Sequence, residues 1–479
     1  MIRINKLDEV YNQVTCVDTG ILYELSEYFT FKVPGAEFMP AYRNKIWDGK
    51  IRLFNTQTGT IYSGLMHHVE RFCKERDYEY AYQYDNSATN FSVIEAKRFI
   101  EEQKFTLEPR DYQINAFVDA VRYSRGLFLS PTASGKSFII YMIMRWFLRP
   151  TLIIVPTTTL VHQMYSDFES YGFKSEKYCH KIFSGQSKDT DKPITITTWQ
   201  SVYKQPKKWF DKYDVVIGDE AHLFKAKSLT SIMTKLSDTK YRFGFTGTLD
   251  GTQTHKLVLE GLFGPVNKVT TTKELMDAGT VADFNIKIIG LTYKDEVRKS
   301  VSKMKYQEEM DFLVSYEPRN NFIKNLSLSL EGNTLVLFQY VDKHGKMLYD
   351  IIMKEAPERK VFFVHGGVSG EERDEMRTIV EKEENAIIVA SYGTFSTGVN
   401  IRNLHSVIFA SPSKSKIRNL QSIGRALRKS DSKDSAVLYD IADDLSWNSS
   451  NNFTLKHLME RIKVYDEENF QYKIYNVGI

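Results

Sequence analysis

The sequence has little cysteine, no long apolar run and no marked excess of one charge. Its 479 residues include three cysteines, Cys16, Cys73 and Cys179, scattered and odd in number. That argues against a disulfide framework or a cysteine-built zinc site and for a reducing compartment. The longest apolar run, Phe138 to Leu148, is broken by Arg145 and falls short of the roughly 20 residues a membrane-spanning helix needs. Met1 is followed by Arg3, Lys6, Asp8 and Glu9 with no apolar signal-peptide core, so a cytoplasmic protein without a membrane partner is expected. Lys and Arg number 64 against 60 Asp and Glu, a net charge of +4. This balance neither demands nor excludes nucleic acid, because phosphate binding needs a local basic surface and not a basic whole. With 42% hydrophobic and 26% charged residues, collagen-like, low-complexity and disordered classes fall away.

What is present is an α/β pattern. At roughly 150 residues per domain the length suggests about three domains. From residue 106 onward, short β-rich apolar runs alternate with helical patterns, as in parallel sheets covered by helices on both faces. One set of strand candidates is Gly126 to Ser130, Thr151 to Val155, Ile194 to Trp199, Asp214 to Gly218 and Tyr241 to Thr246. A second set is Thr334 to Tyr340, Lys360 to Val364, Ala386 to Ser391, Ser406 to Ala410 and Ala436 to Ile441. Two tandem α/β parallel-sheet domains are therefore expected over 106–283 and 284–445, with a helical extension over 446–479. Residues 1–105 read as a small α+β domain, with helix stripes (Ile21, Leu25, Phe29; Leu65, Val69, Phe72) and an Asp48-Gly49 turn. Around that turn, Tyr42 to Arg52 holds four cations and two aromatics. Arg43, Lys45 and Trp47 are nucleic-acid candidates on a hairpin that grips phosphates and stacks on a base; a solvated charged face with Trp47 in a minor core is the equal alternative. Tyr78, Tyr80, Tyr82 and Tyr84 alternate along a strand and read as core packing before a base-stacking platform. His67-His68 has no acidic or cysteine partner nearby in sequence and reads as a surface pair.

The chemistry-bearing motifs are contiguous. Ser130-Pro131-Thr132-Ala133-Ser134-Gly135-Lys136-Ser137 follows a strand candidate and opens an apolar helix, the setting of a P-loop. Backbone N–H groups of Thr132, Ala133, Ser134 and Gly135 and the positive helix end suit phosphates, Lys136 reaches the β and γ oxygens, and the Ser137 hydroxyl suits Mg²⁺. ATP and Mg²⁺ are the expected cofactors. Further on, Tyr213-Asp214-Val215-Val216-Ile217-Gly218-Asp219-Glu220-Ala221-His222 is an apolar strand ending in two carboxylates. In an open parallel sheet strand ends face the ligand crevice, so Asp219 suits Mg²⁺ and Glu220 suits the attacking water. Gln421, Gly424, Arg425 and Arg428 fall at i, i+3, i+4 and i+7, one helix face. Two guanidiniums there suit a transferring phosphoryl group, and a solvated basic helix end is the alternative.

In order and spacing these motifs resemble the superfamily 2 helicases and translocases, which implies that the two parallel-sheet domains are RecA-like. Glu108 to Gln113 is similar to the adenine-side segment, which implies Arg110 and Gln113 there. Val155-Pro156-Thr157 and Ile196-Thr197-Thr198-Trp199-Gln200 resemble motifs that hold strand phosphates, implying Pro156, Thr157, Thr198, Trp199 and Gln200 as nucleic-acid contacts. The resemblance implies a coupling role for His222, Thr246 and Thr248. Ser391 to Asn400 is similar to the fifth motif, which implies Thr394 toward nucleic acid and Gly398 toward nucleotide. Asn400 stands where many relatives carry Asp, and Ser130 and Ala133 replace loop glycines. Within the superfamily the chain most resembles the phage UvsW-type recombination helicases. That likeness implies an ATP-dependent DNA helicase on forks and junctions, moving 3′ to 5′, monomeric or weakly associating, in the host cytoplasm. An RNA helicase or a duplex translocase is the alternative, since such motors grip mainly the backbone. A non-catalytic nucleic-acid structure-binding protein is disfavoured because Lys136, Glu220 and Arg425 are all present.

Overall fold

The computed structural model describes residues 1–249, 252–368, 370–394, 401, 403–411, 435–448 and 450–479. By contacts the chain divides into two compact units, Met1–Ser130 with Gly135–Thr270 and Pro131–Ser134 with Thr271–Ile479.

The first unit opens with seven short strands, β1 (Ile2–Lys6), β2 (Tyr11–Thr15), β3 (Thr30–Lys32), β4 (Lys50–Arg52), β5 (Phe54–Asn55), β6 (Thr60–Tyr62) and β7 (Tyr80–Tyr82). Five form a mixed sheet in the order β5-β6-β2-β1-β7, in which only β1 and β7 pair parallel, while β3 and β4 form a separate antiparallel ribbon. Helices Thr19–Tyr28 and Met66–Glu75 bury Leu25, Val69 and Phe72 together with Ile2, Ile4, Val14, Phe54 and Ile61 of the sheet. The tyrosine run packs on this core. Tyr82 donates to Glu70 Oε1 at 2.6 Å, and the Tyr84 hydroxyl accepts from Asn12 Nδ2 at 2.7 Å. The expected hairpin at Asp48-Gly49 is corrected: β3 and β4 pair across a long connection that carries the short helix Pro40–Arg43. Pro40 starts that helix, its φ suited to a first turn, and Val33 N donates to Gly49 O to close the connection.

A second sheet follows from β8 (Arg125–Leu129), β9 (Thr151–Val155), β10 (Cys179–Ile182), β11 (Ile194–Thr198), β12 (Val215–Asp219), β13 (Tyr241–Thr246) and β14 (Val266–Lys268). All pairs are parallel, in the order β10-β11-β9-β12-β13-β8-β14. Its strands are apolar without alternation because both faces are covered. Ile153, Val155, Val215 and Ile217 enter one core with the helices Asp111–Tyr123 and Lys136–Phe147; Leu152, Ile154 and Val216 enter the opposite one. Arg242 is fully buried yet satisfied, donating to the carbonyls of Leu262, Leu236 and Met233. Those carbonyls lie at helix carboxyl ends, where a cation and spare donors are favourable.

The second unit has the same plan, with β15 (Asp283–Thr292), β16 (Asn333–Phe338), β17 (Val361–Val364), β18 (Ile387–Ser391), β19 (Leu404–Phe409), β20 (Ser435–Asp444) and β21 (Tyr472–Gly478) in the order β17-β18-β16-β19-β20-β15-β21. Its pairs are also parallel. The tail differs from the helical reading: helix Phe453–Glu467 is followed by β21, which extends the sheet beside β15. Buried charges are paired, Arg319 with Asp443 at 2.8 Å and Arg461 with Asp440 at 2.8 Å. The architecture is thus α/β, two parallel-sheet domains after a small mixed-sheet domain. No helix among the described residues is long and apolar enough to cross a membrane, and the three cysteines are free.

Candidate functional site

Parallel pairing aligns the carboxyl ends of β8, β9, β11, β12 and β13, and each of these ends leads into a motif segment. Residues scattered from 130 to 248 therefore gather along one sheet edge. After β8 the loop turns through left-handed conformations at Ala133 (φ 67°) and Gly135 (φ 76°) before helix Lys136–Phe147 begins. A Cβ at Gly135 would lie 2.3 Å from Gln113 Nε2, so glycine is required there for contact as well as for φ. Ser134 Oγ donates to Pro131 O at 2.6 Å, bracing the loop around Thr132.

Lys136 Nζ stands 2.7 Å from Asp219 Oδ1 and 3.3 Å from Glu220 Oε1. Burial raises the Asp219 pKa against the pull of that ammonium. Burial acts on Glu220 in the same sense, but Lys136 and His222 hold its carboxyl well below the usual range. Lys136 is held above its ordinary value, because the two carboxylates outweigh the effect of burial. The sheet edge thus presents the Lys136 ammonium for phosphate, with the Asp219 and Glu220 carboxylate oxygens beside it for a hard cation. That donor set fits a nucleotide phosphate with Mg²⁺.

Glu220 sits in a left-handed conformation (φ 50°) and starts a chain of polar contacts. His222 Nδ1 lies 3.3 Å from Glu220 Oε2 and 3.0 Å from Thr246 Oγ1, and Thr246 Oγ1 donates to Thr248 O at 3.0 Å. Since the Thr246 proton is used on Thr248, His222 must be the donor through Nδ1–H. The carbonyl of His222 lies 2.9 Å from His255 Nε2.

The remaining candidates are placed individually. Gln113 is buried, its Oε1 accepting from Arg110 N at 2.9 Å, while the Arg110 side chain is exposed and donates to Tyr112. Pro156 and Thr157 follow β9, and Thr157 Oγ1 caps helix Thr158–Ser170. Thr198 is buried against Ser201, Trp199 is half-buried on the second core and Gln200 is exposed. In the second unit Thr394 is buried and its Oγ1 accepts from Ser391 at 2.9 Å. Gly398, Gln421, Arg425 and Arg428 lie outside the described residues. In the amino-terminal domain Arg43 and Lys45 are exposed, and half-buried Trp47 donates to Lys50 O at 2.8 Å. Two residues escape sequence reasoning. Tyr171 OH lies 2.8 Å from Ser137 Oγ, and no motif marks it. Glu260 corrects the surface-pair reading of His67 and His68: it is a buried acidic partner for both, distant in sequence and brought up by helix Gln253–Phe263.

A P-loop lysine, an Asp-Glu-Ala-His tract and a histidine–threonine contact on one parallel sheet, followed by a second such sheet, define an ATP-hydrolysing, nucleic-acid-binding helicase of superfamily 2. Comparisons narrow this further. Residues 1–83 match the family model described as DNA helicase UvsW, N-terminal; 106–251 match that of the Type III restriction enzyme res subunit, and 318–430 the helicase conserved C-terminal domain. The chain is 35% identical over 505 residues to the ATP-dependent DNA helicase uvsW of Enterobacteria phage T4, covering 100% of both. It therefore belongs to the UvsW family of helicases. The crystal structure of T4 UvsW matches with a TM-score of 0.53 and 33% identity, over 100% of this chain and 99% of that one. A DNA 3′-5′ translocase of Sulfurisphaera tokodaii, XPB2, is 26% identical over 373 residues, 71% of this chain and 82% of its own.

Proposed function

We propose that this helicase unwinds or branch-migrates forked and junction DNA, moving 3′ to 5′ on the tracked strand, in recombination, repair or replication. The observation that carries the reading is full-length likeness to a DNA helicase, including an amino-terminal domain of the same kind over residues 1–83. The amino-terminal domain, additional to the two parallel-sheet domains, supports a role in engaging branched substrate. The 3′-5′ polarity in the name of the Sulfurisphaera tokodaii translocase supports the direction.

In this reading Lys136 and the loop N–H groups of residues 132–135 bind and orient the phosphates, with Arg110 and Gln113 on the adenine side. Ser137 and Asp219 would hold Mg²⁺, which when bound neutralises charge on the phosphate oxygens. Glu220, ionised at neutral pH, orients a water and accepts its proton. His222 donates to Thr246 and faces Glu220, so a change at the hydrolytic carboxylate reaches the Thr246–Thr248 segment through two contacts. Pro156, Thr157, Thr198, Trp199, Gln200 and Thr394 are assigned to the tracked strand. Gln421, Arg425, Arg428 and Gly398 are assigned to the nucleotide on motif spacing alone.

The test is ATP hydrolysis at fixed salt by the wild type and Lys136→Ala, with single-stranded, duplex and forked DNA and with single-stranded RNA. We expect the strongest stimulation by forked DNA and a loss on the order of 10²-fold or more in the variant. Stronger stimulation by RNA would overturn the substrate.

A further inference from the structure

Away from the nucleotide site, helix Met66–Glu75 of the amino-terminal domain meets helix Gln253–Phe263 of the first parallel-sheet domain at a polar cluster. His68 Nε2 lies 2.8 Å from Glu260 Oε2, and His67 Nε2 lies 3.6 Å from Glu260 Oε1. One ligand atom from each of the three residues falls within 4.8 Å of the others. Consecutive residues of a helix point about 100° apart. Helix periodicity alone therefore does not turn two adjacent imidazoles onto one carboxylate, with ring centroids 4.0 Å apart. The Glu260 side chain is only 3% exposed, and its other neighbours are weak ones: Lys256 Nζ at 4.0 Å and the Val266 N–H at 3.4 Å.

We propose that His67, His68 and Glu260 form a binding site for a divalent transition-metal ion, Zn²⁺ being the best fit, that staples the amino-terminal domain to the first parallel-sheet domain. Two imidazole nitrogens and a carboxylate oxygen are a donor set for Zn²⁺ or Co²⁺, whereas Mg²⁺ prefers oxygen alone. Tetrahedral bonds of about 2.0–2.2 Å put neighbouring ligand atoms roughly 3.3–3.5 Å apart. The spacings of 2.8 Å from His68 to Oε2 and 3.6 Å from His67 to Oε1 lie either side of that length on the two carboxylate oxygens, and all three ligand atoms fall within 4.8 Å, so rotation of the carboxylate and the two rings brings them to it. Each imidazole binds through Nε2 and keeps its proton on Nδ1. The frame is tight: a Cβ at Gly64 would lie 2.0 Å from Glu260 O, and one at Gly261 would lie 2.9 Å from the Tyr62 ring. With the two backbones in contact, the ligands are held together before any ion arrives, which lowers the entropy cost of binding. His67 also lines a cavity of about 700 Å³ between the same two domains, from which water completes the coordination.

The experiment uses the full-length protein stripped with a chelator and kept in excess Mg²⁺, so that the nucleotide-site carboxylates are occupied. Zn²⁺ binding is followed by calorimetry, and Co²⁺ serves as an optical probe of four-coordinate nitrogen and oxygen ligation. We expect one Zn²⁺ per chain, a Co²⁺ visible band and a higher melting temperature with Zn²⁺. Glu260→Gln and His67→Ala should each weaken Zn²⁺ binding at least about 10-fold and abolish the band. His67 is partly exposed, so its variant keeps the test decisive if Glu260→Gln fails to fold. Absence of the Co²⁺ band in the wild type, or binding undiminished in His67→Ala, overturns the site and leaves a hydrogen-bonded Glu–His cluster.

Discussion

His222 shows how one side chain ties two sequence motifs together. Its tautomer is dictated by a neighbour: Thr246 spends its only proton on Thr248 O, so the imidazole must donate from Nδ1, and that nitrogen also lies 3.3 Å from Glu220 Oε2. The Asp-Glu-Ala-His spelling marks the histidine, but only the adjacency of β12 and β13 gives it this partner. His344 makes a different point, since no motif signals it. It is fully buried between the Ser411 hydroxyl and Asn320 Oδ1, and burial, with Arg319 second, depresses its pKa from 6.5 to about 3. Between those values the unfolded chain binds a proton that the folded one refuses. Stability therefore falls as pH drops from about 6.5 toward 3, by up to about 1.4 kcal/mol per pH unit from this residue. Urea denaturation at pH 7 and pH 5 should show the second unit weakened in acid, with His344→Gln flattening the dependence. An identical slope in the variant would count against the assignment.

At the scale of elements, strands buried on both faces were the most legible, because β9, β12 and β18 are continuous apolar runs bounded by turns. The least legible was β21. Its residues Tyr472–Gly478 are mostly exposed, so no apolar periodicity announces a strand; what makes it one is the free edge of β15, which it pairs from Ile286↔Tyr472 to Thr292↔Gly478. An unpaired edge invites intermolecular pairing. Ending the chain after Phe470 should raise light scattering on warming and lower the melting temperature of the second unit by about 4 °C or more. Unchanged melting and scattering would show that β21 is dispensable. The segment between β3 and β4 was misread as a tight hairpin for the converse reason: Asp48-Gly49 has the right turn chemistry, but its strand partner is Thr30–Lys32, well upstream, and register is set by pairing rather than by the local dipeptide.

At the scale of the whole molecule, the amino-terminal domain carries the substrate question. Arg43 and Lys45 are exposed beside half-buried Trp47, on a domain with 13 Lys and Arg against 15 Asp and Glu. If the two cations contact phosphates, Arg43→Ala with Lys45→Ala should weaken forked-DNA binding and reduce the slope of log K against log salt by roughly 1.8. Equal affinity at matched salt would remove this surface from the DNA path. By itself the sequence determined the class of chemistry, because a P-loop, an acidic strand end and a basic helix face each require their residues at fixed, short separations. It also determined the α/β plan, because doubly covered parallel strands must be apolar throughout. Only tertiary structure decided the partners that lie far apart along the chain: Tyr171 against Ser137, Glu260 between His67 and His68, Arg242 under three helix-end carbonyls, and β21 on the edge of β15. Such pairings obey packing and hydrogen-bond satisfaction across whole domains, and neither leaves a periodic or local mark in the order of residues.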